Sequence, residues 1–173
     1  MPRLHALELV ADAAGEAPVR AEWQALRDHG LPSMLDHPGA TNTPHLTVIA
    51  LPTVSDADEA RAVDLLGPLL PVRVVTSGVA VFGGDRVTLV RTVDLADEVT
   101  RAVLDLRAAT SGHQHPGWLP HLTLARRLPR ADLARAVEAV GHTSIEVSLT
   151  ALRRWDPDLG TVRTLAQSSP SPT

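Results

Sequence analysis

The chain has 173 residues, 44% of them apolar and 21% charged, which is the balance of a globular protein and excludes a wholly disordered one. It has no cysteine, no tyrosine, one phenylalanine and three tryptophans. Disulfide frameworks, thiolate metal sites and cysteine nucleophiles are therefore excluded, and a platform stacking a row of bases is not expected. Sixteen positive side chains, all arginine, meet twenty acidic ones for a formal charge of −4, a poor basis for coating long nucleic acid by counterion release. Arginine's planar fork still suits a locally held phosphate, while the lack of lysine excludes Schiff bases and lysine-bearing phosphate loops.

In chain order, residues 4–10 read as a first strand. Residues 18–29 read as a helix opened by Pro18, with Val19, Trp23 and Leu26 on one face and Gly30 at its end. A turn-rich loop over 31–44 leads to an apolar, partly β-branched strand over 45–51, closed by Pro52. Ser55 and Asp58 form a capping-box pattern for a second helix, which Gly67-Pro68 ends. Residues 72–82 supply one or two strands, Gly83-Gly84-Asp85 a turn, and residues 86–93 the returning strand of a hairpin. Asp94 is expected to cap a third helix carrying Leu95, Val99, Val103 and Leu106. A loop over 110–120 precedes a strand over 121–128. A fourth helix bears Leu133, Val137 and Val140 and ends at Gly141, and strands follow near 144–154 and 161–166. The expectation is one α+β domain over residues 1–167 and a disordered tail over 168–173. The domain is built from two pseudo-symmetric β-α-β-α-β halves that divide near Gly83-Gly84. No apolar run approaches the roughly 18 residues of a membrane span, and Glu8 comes too early for a signal peptide. A cytoplasmic protein is expected.

The repeat is sharpest at one word. Pro44-His45-Leu46-Thr47-Val48 is echoed by Pro120-His121-Leu122-Thr123-Leu124, each after a polar loop and before a helix. Strand alternation puts His45 beside Thr47, and His121 beside Thr123, with the leucines turned to the core. Two such strands facing across a cleft bring two imidazoles and two hydroxyls to one small volume. An imidazole titrating near neutrality can take a proton from a nucleophile or give one to a leaving oxygen. The hydroxyls can donate to non-bridging phosphoryl oxygens.

These motifs and the β-α-β-α-β halves resemble the two-histidine (2H) phosphoesterase superfamily. Within it the chain is most similar to the 2′-5′ RNA ligase and RNA 2′,3′-cyclic phosphodiesterase group, over residues 4–167. The resemblance implies two lobes of antiparallel sheet with outer helices and a central groove. It also implies a metal-independent enzyme without cofactor that opens cyclic phosphates, with ligation as the reverse reaction. His45 and His121 would then be acid and base, and Thr47 and Thr123 phosphate donors. Arg126, which follows the second motif in Pro120-His121-Leu122-Thr123-Leu124-Ala125-Arg126, would bind phosphate. Ile49-Ala50-Leu51-Pro52 stands where the family often has aromatics, so no stacking is expected there.

Strict alternation gives Arg127 the histidine's face and Arg126 the opposite one unless a bulge intervenes, so both are candidate phosphate contacts. Trp118, three residues before His121, could wall the groove and stack one base. Trp23 and Trp155 read as core, Arg153-Arg154 as a solvated strand edge, and His37 has no assignment. The expected partner is a nucleotide, an RNA end or a small phosphodiester, with no membrane and no metal. Oligomeric state is not readable, and a monomer is the default. Two other readings remain at this point. One is a nucleotide- or RNA-end-binding module without catalysis, and the other is a metallohydrolase using the His113-x-His115 loop.

Overall fold

The third strand of each half leaves its own half to complete the sheet of the other. The computed structural model describes residues 3–39 and 41–169. The first half is β1 (His5–Ala11), α1 (Ala13–Asp28), β2 (His45–Leu51), α2 (Asp56–Leu66) and β3 (Val72–Gly83). The second is β4 (Arg86–Leu95), α3 (Asp97–Ala109), β5 (His121–Pro129), α4 (Leu133–Val140) and β6 (Glu146–Asp156), with β7 (Thr161–Gln167) after it. All pairings are antiparallel, in the order β2-β1-β6-β3-β4-β5, with β7 added to β6. One lobe is β2-β1-β6, extended by β7, and the other is β5-β4-β3, related to the first by an approximate two-fold between β6 and β3. Residues 146–149 of β6 pair with β3, residues 151–156 pair with β7, and β1 runs along the opposite edge. The helices follow the same symmetry, α1 packing on β5 and α3 on β2.

Alternation decides which face closes. Leu7 and Leu9 of β1, Leu46 of β2, Leu89 of β4 and Leu122 of β5 are all inaccessible and meet Trp23 and Leu26 of α1 and Val103 and Leu106 of α3. Each such side chain contributes about 1.5–3 kcal/mol. The alternate residues of the same strands face away from the helices, and those of β1 and β2 line a groove.

Several local expectations change. Helix α1 begins at Ala13 instead of Pro18, because the Asp12 carboxylate accepts from the Gly15 N–H and nucleates the helix upstream. Pro18 then sits in the second turn. Asp94 is not a cap: it pairs with Val75 inside β4, and α3 starts after Ala96 with no side-chain cap. The capping box of Ser55 and Asp58 forms as expected. Of the expected tail, Ser168 donates its N–H to Thr150, and residues 170–173 lie outside the described residues. No helix among the described residues is long and apolar enough to cross a membrane.

Candidate active site

Both motif strands carry the same irregularity. In β2, Glu8 pairs with Thr47 and Leu7 with Ile49, leaving Val48 as an extra residue. In β5, Val90 pairs with Thr123 and Leu89 with Ala125, leaving Leu124 extra. The alternation therefore breaks at matching points. The groove-facing set becomes 45, 47 and 50 in β2 and 121, 123 and 126 in β5, with Val48-Ile49 and Leu124-Ala125 buried as adjacent pairs. A second irregularity follows in β5, where Arg127 adopts φ +57°.

The histidines are held identically. His45 Nδ1 lies 2.8 Å from the Thr43 carbonyl and His121 Nδ1 2.7 Å from that of Leu119. A carbonyl can only accept, so each Nδ1 carries the hydrogen and each Nε2 is turned outward, an acceptor on a neutral ring and a donor on a protonated one. Each motif threonine in turn offers its backbone carbonyl, on an edge strand, to an indole. Trp118 Nε1 donates to Thr47 at 3.0 Å and Trp23 Nε1 to Thr123 at 2.9 Å. Burial holds the His121 pKa below the ordinary imidazole value, and the nearby charges of His45 and Arg126 lower it further, against the opposing bond to Leu119.

A cavity of about 760 Å³ opens on the first lobe. His45, Thr47, Glu8, Arg153, Trp155 and Arg126 line it, and Arg3, His37 and Gln114 stand elsewhere along its wall. His121 and Thr123 are half-buried on the strand that supplies Arg126 and are not part of that lining. Across β2, β1 and β6 the groove face reads in two rows. Thr47, Glu8 and Arg153 form one, and Ala50, Ala6 and Trp155 the other. Arg153 Nε donates to Glu8 Oε2 at 2.9 Å, and Glu8 Oε1 lies 3.6 Å from His45 Nε2. In the second lobe the ring of Phe82 meets His121 edge-on, with centroids 5.4 Å apart.

Other expectations are redistributed. Arg126 lines the cavity and Arg127 does not; the Arg127 carbonyl accepts from Arg86. The indole N–H of Trp118 is used by Thr47, its ring packs against the core, and it is not in the cavity wall. Trp23 is core, whereas Trp155 is half-buried and faces the cavity. Arg153 and Arg154 are no solvated edge, because β6 is an interior strand. Arg153 is buried on Glu8, and Arg154 binds Glu59 and His5 on the helix side. His113 Nε2 is engaged by Thr110 Oγ1 and the Arg107 carbonyl. Among the described residues, the groups of three possible metal ligands do not include His113 or His115. His5, Asp156 and Asp158 do form such a group, but the Arg154 guanidinium already donates to His5 and lies 3.8 Å from Asp156. The sequence reading missed Glu8 and Phe82. The signal for Glu8 was a lone carboxylate in an otherwise apolar strand; Phe82 offered none beyond its rarity.

Two antiparallel lobes sheathed by helices, with a His-x-Thr strand on the outer edge of each, make this a two-histidine phosphoesterase by architecture. The chain belongs to the 2′-5′ RNA ligase superfamily, whose family model matches residues 15–161. No curated protein matches it significantly by sequence. Solved structures share the fold at low identity. TT0787 of Thermus thermophilus superposes with a TM-score of 0.56 at 20% identity, over 95% of this chain and 96% of that one. LigT of E. coli, complexed with NADP+, gives 0.52 at 18% over 98% and 96%, and Usb1 of Kluyveromyces marxianus 0.51 at 13% over 95% and 98%.

Proposed function

We propose that the protein is a metal-independent phosphodiesterase that hydrolyses 2′,3′-cyclic phosphates of RNA ends or small nucleotides by two-histidine acid/base catalysis. The observation that carries this reading is the matched tethering of the two rings, each Nδ1–H on the carbonyl two residues earlier and each Nε2 free. His121, whose pKa is lowered by burial and by neighbouring cations, suits the base. It takes a proton from water as the water oxygen bonds to phosphorus. The bond from phosphorus to one ribose oxygen breaks, and His45, which enters the step protonated on Nε2, gives that oxygen its proton. Thr47, Thr123 and Arg126 meet the non-bridging oxygens, where negative charge builds. Trp155 is the flat surface available to a base. Solved structures of LigT with 3′-AMP and of Usb1 with uridine monophosphate make a nucleotide a reasonable ligand for this fold.

The test is a panel of 2′,3′-cyclic nucleotides, cyclic-phosphate oligoribonucleotides and small cyclic phosphodiesters in EDTA. Turnover should survive chelation, and His45→Ala and His121→Ala should each lower it by about 10²–10⁴-fold. Activity that both substitutions leave intact overturns the reading. Affinity for cyclic nucleotides without turnover would replace it with a binding role, and loss of activity in EDTA with a metal-dependent one.

A further inference from the structure

The two His-x-Thr units are built from the same residue types and tethered in the same way, so nothing within them distinguishes donor from acceptor. The strands beside them do. Position 8 of β1 and position 90 of β4 are related by the two-fold, each paired across the sheet with its motif threonine. One is glutamate and the other is a fully buried valine. On the next strand the related positions are Arg153, paired with Glu8, and Ala80, paired with Val90. His45 therefore has an ion pair for a neighbour, while His121 has an apolar row, the edge of Phe82, and the charge of Arg126.

We propose that Glu8, carried by Arg153, is a positioning residue that fixes the direction of proton flow, holding His45 as the donor to the leaving oxygen. The inference rests on the reading given under Proposed function. Glu8 is 5% exposed, and Arg153 engages one carboxylate oxygen, leaving Oε1 directed at His45 Nε2. The separation of 3.6 Å is too long for a hydrogen bond. The carboxylate thus faces Nε2 and orients the ring without capturing an N–H there, which stays free to aim at the substrate. An imidazolium at 121 would instead face Arg126 and the His45 ring. Among the described residues, the charged and titratable groups lining the cavity beside the pair are Arg153, Arg126, Arg3 and His37, with His121 on the strand that supplies Arg126, and Glu8 is the acidic one.

The leaving group separates this role from a structural one. A methyl ester of a nucleoside monophosphate needs a proton on its departing oxygen, whereas p-nitrophenolate departs without one; water attacks phosphorus in both. Glu8→Gln should lower kcat on the methyl ester by about 10- to 100-fold and on the p-nitrophenyl ester by less than about threefold. His45→Ala should show the same asymmetry, and His121→Ala should lose rate on both. Glu8→Asp keeps the charge for Arg153 and is the variant on which the ratio is read should Glu8→Gln melt; its loss should be smaller and equally one-sided. Equal losses on the two esters, or none on either, overturn the role of Glu8 while leaving the phosphodiesterase standing. A wild-type protein that turns over neither these esters nor any cyclic phosphate removes the parent reading as well.

Discussion

The indole N–H of Trp118 donates to the carbonyl of Thr47 across 3.0 Å, so the loop before the second motif grips the strand of the first. Trp23, in the first half, makes the reciprocal bond to Thr123 in the second. Carbonyls of the two motif strands are thereby tied between halves.

Trp118→Phe removes the donor but keeps most of the ring. It should lower the unfolding free energy by about 0.5–1.5 kcal/mol, the usual net value of one hydrogen bond, as read from urea denaturation. It should also lower kcat, since Thr47, which lines the cavity, is displaced. An unchanged kcat would show that the tie serves stability alone.

Much of this architecture is legible in the sequence. The capping box at Ser55 and the recurrence of Pro-His-Leu-Thr are local signals, and local signals read well. What escapes depends on pairing at a distance. Val48-Ile49-Ala50 is apolar throughout, so no change of polarity marks the bulge after Thr47. In β5 the same bulge decides which of two adjacent arginines enters the groove. Arg153 and Arg154 read as an edge because the β6–β3 and β6–β1 pairings join residues from distant parts of the chain. Trp155 reads as core for the same reason: its neighbours Ala6 and Ala50 are small enough to leave a cavity beside it, and that is a property of three strands together.

Arg126 and Arg127 make the bulge measurable. Arg126→Ala removes a cationic donor from the cavity and should cost about 1.5–3 kcal/mol of transition-state binding, or roughly 10- to 100-fold in kcat/KM on a cyclic nucleotide. Arg127→Ala, whose side chain lies outside the cavity wall, should stay within about twofold. Equal losses would mean that the strand presents both.

The lowered pKa of His121 has a stability consequence. Its folded-state pKa lies below its unfolded one, so the unfolded chain binds the proton first as pH falls. The contribution is fully present above the ordinary imidazole pKa and is lost as pH drops through the folded value. The wild type should melt at progressively lower temperature from neutrality down through that window, and His121→Gln should flatten this part of the profile. The further decline in the carboxylate range should remain, since Asp36, Glu59 and Asp156 also have lowered pKa values. A slope that His121→Gln leaves untouched would place the titrating group elsewhere.

The buried pair Glu22–Arg91 anchors the helix that carries Trp23. Arg91 is 1% exposed and donates to Glu22 at 2.6 Å and to the carbonyls of Val140 and Gly141, at the end of α4, at 3.0 Å each. Arg91→Met strands a buried carboxylate and two carbonyls, and should destabilise the fold by about 3–5 kcal/mol in denaturant. Adding Glu22→Leu removes the orphaned charge and should recover much of that loss, because two apolar side chains of similar volume avoid the desolvation that the ion pair had to offset. Trp23 follows Glu22 directly, and its bond to Thr123 depends on where α1 sits. The double variant should therefore regain stability more completely than turnover, and full recovery of both would show that packing alone holds α1 in register with the second motif.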